Sequence, residues 1–157
     1  MLTATTRRVR RFAERERLFR RVQKVAVAVS GGADSVAALL ILRELREAFG
    51  FELLAVHFDH QLRPGSRDDL ERVREICGGL GVEFVSGEGD VARASREARA
   101  GIEETARRMR YQFLAFVAGK EQAGCIATGH TRDDQVETVL MRFLRGSGVR
   151  GLRGMLP

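Results

Sequence analysis

Cysteine is nearly absent from these 157 residues: Cys77 and Cys125 are the only two, far apart and without a CxxC spacing. Local spacing therefore supports neither a zinc ribbon nor a redox pair. Both thiols sit in apolar stretches and read as buried side chains in a reducing compartment, which points to the cytoplasm. Proline is equally scarce, at Pro64 and Pro157, and no internal repeat or low-complexity linker divides the chain. With 44% apolar residues the chain can bury one sizeable core, so residues 1–157 are expected to form one domain. Long apolar runs are missing too. The longest, Val36 to Leu42, falls far short of the roughly 20 residues that cross a bilayer. The N-terminus is rich in arginine but lacks the apolar core of a signal peptide. No membrane partner is expected.

Acidic residues are the minority, 21 against 27 Lys+Arg, for a net charge of +6. Almost all of the excess is arginine, whose planar fork suits phosphate better than lysine does. Such a balance favours a polyanionic partner. The densest arginine segment, Val9 to Val22, carries Val9, Phe12, Leu18, Phe19 and Val22 at helical spacing. It reads as an amphipathic helix, so that residues 1–23 form a basic element packed on the domain.

Beyond it, strand and helix signals alternate. Lys24 to Val29 is a β-branched apolar run typical of a strand buried on both faces. A helical pattern follows from Ala33 to Phe49, closed by Gly50. Glu52 to Phe58 reads as a second strand, and Ser66 can cap a helix running to Leu80. Val82 to Ser86 reads as a third strand, Gly87 to Gly101 as polar and irregular, Ile102 to Gln122 as a long helix. Cys125 to Thr128 is a fourth strand, and Asp133 to Leu144 a last helix. Phe113 and Phe116 fall at buried spacing on the long helix. This order implies an α/β fold, a parallel sheet with helices on both faces, whose ligands bind beyond the carboxyl ends of the strands.

The unusual residues fall at those ends. The first strand runs into Ser30-Gly31-Gly32-Ala33-Asp34-Ser35. Two glycines let backbone amides approach an anion, and the helix that follows points its positive end at the same place. Ser30 and Ser35 add hydroxyls, making a nest for a diphosphate-sized anion. No GxxxxGK[ST] exists in the chain, and no GxGxxG lies at this turn, so it is neither a Walker loop nor a dinucleotide fingerprint. Asp34 would repel a phosphate unless a cation bridged the two, which implies Mg²⁺. Further on, Asp133 and Asp134 lie four and three residues before Glu137 and share its helix face. Such carboxylates could face lysine, Mg²⁺ or arginine, or simply form a solvated acidic first turn.

SGGADS at Ser30 to Ser35 resembles the PP-loop of the ATP pyrophosphatases, which cleave ATP between its α and β phosphates. Gly129-His130-Thr131-Arg132-Asp133-Asp134-Gln135-Val136-Glu137-Thr138, with Leu140 to Gly148 and Gly151 to Met155, resembles the GHxxDDQxET signature of tRNA(Ile)-lysidine synthetases. Asp59-His60-Gln61-Leu62-Arg63 resembles that family's DHGLR loop, with Gln61 where glycine is usual. Glu103 to Tyr111 resembles its EExAR helix.

The resemblance implies ATP and Mg²⁺ as cofactors, and tRNA(Ile) and L-lysine as partners. ATP would lie against Ser30, Gly31, Gly32, Ala33, Asp34, Ser35 and Gly129, with its adenine near His57 and Phe58. Asp34 would hold the metal. Arg107 and His130 would stabilise charge on the α phosphate, and Asp134 and Glu137 would hold lysine. His60, Arg63, Arg142 and Arg145 would face RNA. It also implies a homodimer, and that the C-terminal tRNA-binding regions of the family are absent from these residues. Two other readings compete: a tRNA thiolase, which would need Cys77 and Cys125 as a catalytic pair, and a non-catalytic ATP-binding module, which would not need Asp34, Arg107, Asp134 and Glu137 together.

Overall fold

A run such as Val25-Ala26-Val27 has no polar side chain to turn toward water on either face, so its strand belongs in the middle of a sheet. In the computed structural model, which describes residues 2–63 and 65–130, it lies there. β1 (Lys24–Ala28) is flanked by β2 (Glu52–Asp59) and β4 (Cys125–Thr128), and β3 (Glu83–Glu88) lies outside β2, in the order β3-β2-β1-β4. Every pairing is parallel. The helices are α1 (Ala4–Glu16), α2 (Ala33–Phe49), α3 (Ser66–Leu80), α4 (Val91–Ala98) and α5 (Ile102–Lys120).

Alternation along the strands divides the apolar side chains between two cores. Val25, Val27, Leu53 and Ala55 meet Leu39, Leu42 and Leu45 of α2 and Val73 and Cys77 of α3. On the opposite face, Ala26, Leu54 and Val56 meet Leu114 and Val117 of α5. Helices therefore cover both faces, as the alternation of elements implies. Each fully buried Leu or Val contributes about 1.5–3 kcal/mol. At the amino ends of the strands, Lys24 Nζ lies 3.3 Å from Glu83, 3.6 Å from Glu121 and 3.9 Å from Glu52. Desolvation lowers the Lys24 pKa, but the hydrogen bond and charge of Glu83, with Glu121 and Glu52, outweigh it and leave the group above its ordinary value.

Several elements depart from expectation. The N-terminal helix spans Ala4–Glu16 rather than Val9–Val22. It stops because Arg17 turns left-handed (φ 54) and donates its amide to the carbonyls of Ala13 and Glu14. Val9, Phe19 and Val22 still pack on the core, Phe19 with its ring 5.2 Å from Phe49 and 4.9 Å from Phe51. Phe12 and Leu18 are exposed instead. Within the stretch expected to be irregular, Asp90 accepts from the Arg93 amide at 2.8 Å and starts α4, which buries Val91 and Ser95. Phe113 packs on the second core and on Phe58, 5.4 Å away, whereas Phe116 is 66% exposed. Cys77 is buried and Cys125 half-buried, and burial pushes both thiols up. The helix expected from Asp133 lies outside the described residues. Among the described residues no helix is long and apolar enough to cross a membrane.

The loop after β2 is organised by one carboxylate. Asp59 is 4% exposed, and its oxygens accept from the Gln61 amide at 2.8 Å and from the Ser66 hydroxyl at 3.1 Å. Ser66 is thus not the cap of α3. Gly65 holds that position, and the serine hydroxyl turns back to Asp59. Between these anchors Gln61 is left-handed (φ 52), at the position where the resembling motif has glycine. A side-chain residue gives up roughly 1–2 kcal/mol in that conformation, of which glycine returns part as lost chain entropy. Gln61→Gly is therefore expected to raise unfolding stability by up to about 1 kcal/mol in urea denaturation, and Gln61→Val to lower it. A glycine variant with an unchanged or earlier midpoint would show that the loop carries no strain here.

Candidate active site

Between β1 and β4 the chain reverses its progress across the sheet, from β2 and β3 on one side to β4 on the other. Parallel sheets bind ligands at the carboxyl ends of strands where such a reversal leaves a crevice. A cleft of about 350 Å³ opens there, lined by Ser30, Gly32, Asp34, Phe58, Gly129 and His130 among others.

Its floor is built by backbone. Gly31 is left-handed (φ 89), and Gly32 caps α2 without any side-chain hydrogen bond. The first amides of a helix have no partner within the helix, so those of α2 are presented to an external acceptor. Ser35 is buried, and its hydroxyl is already committed. It donates to the Gly32 carbonyl at 2.8 Å and accepts from the amide and hydroxyl of Ser30 at 3.1 and 3.2 Å. Ser35 therefore shapes the nest, and Ser30 is the serine exposed at its edge. Ala33 is the first residue of α2. Asp34, beside it in the first turn, is exposed and has no ion pair or hydrogen bond among the described residues. From the other side Gly129 presses on the same turn: a Cβ there would lie 2.7 Å from Ser35 Cα and 2.9 Å from the Asp34 carbonyl carbon. His130 follows, with Nδ1 2.7 Å from the Thr128 hydroxyl.

A second, larger cleft of about 1050 Å³ adjoins the first. Ser30, Phe58, His60 and Arg110 line both. The larger one adds His57, Asp59, Arg63, Glu103, Glu104 and Arg107. His57 is buried, and its Nδ1–H donates to the Val29 carbonyl at 2.7 Å, tying β2 to the start of the phosphate nest. Arg107 does not pair with Glu103. Its guanidinium lies over the Tyr111 ring, 5.1 Å from the centroid, and Arg110 lies 5.5 Å from the same ring. His60, expected on an RNA-facing loop, is half-buried at the junction of the clefts with its ring edge-on to Phe58. Desolvation and the Arg110 charge, joined by His57, lower its pKa against the opposing pull of Asp59 and the Ala106 backbone. These causes favour the neutral imidazole. Arg63 is exposed and bound to Asp69.

Sequence reasoning missed Asp59, the loop's anchor, and Arg110, the arginine common to both clefts. A signal existed for Arg110, which lies three residues after Arg107 and so on the same helix face. Asp134, Glu137, Arg142 and Arg145 lie outside the described residues. As for a metal, no cluster of three or more His, Cys, Asp or Glu side chains exists among the described residues. Asp34, without a partner among the described residues and beside the Gly-Gly turn, would suit Mg²⁺, which commonly keeps its waters and shares protein carboxylates with phosphate oxygens.

A family model described as the PP-loop domain matches residues 1–157. The chain belongs to that family. Among curated proteins, it is 44% identical over 150 residues to a tRNA(Ile)-lysidine synthase of Bradyrhizobium sp., covering 92% of this chain and 41% of that protein. It is 38% identical over 153 residues to one of Dehalococcoides mccartyi, covering 97% and 32%. The PP-loop chain thus spans less than half the length of either relative. Among solved structures, a U34-tRNA thiolase from Methanococcus maripaludis superposes with a TM-score of 0.79 at 23% identity, covering 93% of this chain and 50% of that one. An NH3-dependent NAD synthetase from Campylobacter jejuni superposes at 0.59 and 13% identity, covering 94% and 75%. These two share the PP-loop fold.

Two outcomes follow from this geometry. Gly129→Ala must push backbone apart at the first turn of α2, so ATP affinity in calorimetry is expected to fall roughly tenfold or more while the fold is kept. Unchanged affinity would separate β4 from the nest. The lowered His60 pKa means that the unfolded chain takes up this proton first. Its contribution to stability is complete above its ordinary pKa of 6.5 and is lost as pH falls toward the folded value. Between pH 7.5 and 5.5, His60→Gln is expected to lose less stability than the native chain, and equal losses would contradict that environment.

Proposed function

We propose that this chain is the catalytic PP-loop domain of a ligase that joins lysine to the wobble cytidine of tRNA(Ile) with a CAU anticodon. The observation that carries the reading is the meeting of Asp34, unpaired among the described residues, a helix start without a side-chain cap and Gly129 beside a second cleft bearing Arg107 and Arg110. The names of the relatives and the GHxxDDQxET string support it. ATP lies with its β and γ phosphates on the amides of residues 31–35 and its adenine toward Phe58. Asp34 would hold Mg²⁺, which would supply positive charge to screen the phosphates and the pyrophosphate. The tRNA base enters the larger cleft. Its O2 attacks the α phosphate and pyrophosphate leaves, giving an adenylated cytidine. The lysine ε-amine, having lost a proton, then attacks C2 and AMP leaves. Arg107 and Arg110 face the developing phosphate charge, with His130 at the end of β4. Such preorganised charge is usually the largest contribution in this chemistry. Asp134 and Glu137 take the lysine ammonium. His60 orients the junction as a neutral imidazole, and Arg63, Arg142 and Arg145 meet RNA.

The thiolase reading has less support, because Cys77 is buried on α3 and Cys125 is half-buried on β4, with burial holding both thiols protonated. The test is pyrophosphate release and labelled-lysine incorporation with a tRNA(Ile) transcript, using a methionine tRNA as control. Incorporation into tRNA(Ile) alone is expected, and Asp34→Ala is expected to lower pyrophosphate release by about a hundredfold or more. Equal, negligible release from both proteins would sink the enzymatic reading and leave a nucleotide-binding module.

A further inference from the structure

The catalytic clefts do not account for the strongest concentration of charge. α1 holds five arginines, two glutamates and no lysine. Arg8, Arg11 and Arg15 recur at i, i+3 and i+7, which places them within about a third of the helix circumference. They surround a shallow hollow completed by Thr5, Val9 and Phe12. The opposite side of α1 buries Thr6 and Ala13 against the domain, so the stripe faces outward. Arg8 and Arg11 have no carboxylate partner among the described residues, although Arg10 pairs with Glu14 on another face of the same helix. Phe12 is 48% exposed in the middle of the stripe, with the Arg15 guanidinium 5.3 Å from its ring centroid.

Arg15 also reaches Glu16 at 2.7 Å, but Arg8 and Arg11 have no carboxylate partner among the described residues, so their charge beside the half-exposed Phe12 ring costs electrostatic energy until an anion meets it. We infer that the outer face of α1 is a second RNA-binding surface, separate from the clefts, on which Arg8, Arg11 and Arg15 take backbone phosphates and Phe12 stacks on an unpaired base. Arginine forks match phosphate oxygens in pairs. An exposed ring beside them is the platform that single-stranded RNA uses. A lipid surface fits less well. A membrane-bound helix needs a broad apolar face to insert, and the apolar side of α1 is spent on the domain, leaving Phe12 alone on the stripe. The claim does not depend on which chemistry the clefts perform.

The test uses the full chain and a fluorescent tRNA transcript, with anisotropy titrations over a range of salt. Replacing Arg8, Arg11 and Arg15 together with glutamine is expected to weaken binding roughly tenfold or more at physiological salt. It should also flatten the log–log salt slope by about 2–3. The triple lysine variant keeps most of that slope, which separates charge from damage to the helix. Phe12→Ala weakens binding to a single-stranded loop and leaves the slope unchanged. ATP affinity stays native in all of them. The proposal is overturned if the glutamine variant retains the native affinity and slope. It is equally overturned if that variant loses only binding to phosphatidylserine vesicles and still binds tRNA normally. Failure of the native chain to incorporate lysine, with the glutamine variant still losing RNA binding, would instead count against the catalytic reading alone.

Discussion

The site depends on one close approach of backbone to backbone. The end of β4 passes the first turn of α2 so tightly that residue 129 has no room for a Cβ: Ser35 Cα and nitrogen would lie 2.7 and 2.8 Å from it. This approach fixes the crevice between β1 and β4, and it brings His130 to the rim of the nest that Gly31 and Gly32 open. Ser35 serves the same end from within. Its hydroxyl clasps Ser30 and Gly32, so the loop holds its curvature without using the amides that face outward. Those amides are an expense within the chain, since a helix start without a side-chain cap leaves donors unmatched by the chain itself. The apolar packing of α2, through Leu39, Leu42 and Leu45, offsets it.

A second tier of contacts joins this nest to the larger cleft. His57 reaches from β2 to the Val29 carbonyl, so that a shift of β2 is felt at the base of the phosphate loop. Two residues later the buried Asp59 carboxylate holds both ends of the loop that walls the larger cleft, through the Gln61 amide and the Ser66 hydroxyl. A buried carboxylate is tolerated where its oxygens are satisfied. The left-handed Gln61 shows that the loop's path is set by those anchors more than by the preference of the residue within it.

How far the sequence revealed this structure follows from where burial left a pattern. β1 and β2 were legible because a strand covered on both faces must be apolar throughout, as Lys24–Ala28 is apart from its first residue, and β4 was legible from its short apolar run although none of its residues is fully buried. The Gly-Gly turn between β1 and α2 was legible because glycine and serine cluster where a strand runs into a helix. α4 was not. It is eight residues long, and one of its two buried positions is Ser95, so apolar periodicity had almost nothing to register. α1 was displaced because Phe12 and Leu18 were counted toward a packed face, whereas Thr6 and Ala13 occupy it. Phe116 misled in the same way: spacing locates a helix face but does not say whether anything covers it. Asp59 and Arg110 were hidden for another reason. Their importance comes from partners distant along the chain or from the junction of two clefts, and neither has a local signature. The residues from Thr131 onward, with Asp134 and Glu137, lie outside the described residues.

The arrangement of Arg107 and Arg110 shows why charge count alone would misjudge this site. Glu103 and Glu104 line the same cleft, and an i,i+4 pair between Glu103 and Arg107 was available on α5. Both guanidiniums instead face the Tyr111 ring, at 5.1 and 5.5 Å. A salt bridge would have to be broken before either arginine could meet a phosphate, and the anion would then compete with a carboxylate fixed in place. A ring attracts a cation by about 0.5–2 kcal/mol and leaves its N–H donors free. It also restricts a long side chain that would otherwise lose rotamer freedom on binding. Two like charges gathered about one ring repel each other, and an anion that meets both would relieve that repulsion. The stacking therefore orders both arginines without neutralising them, the state that the proposed phosphate chemistry would require of them.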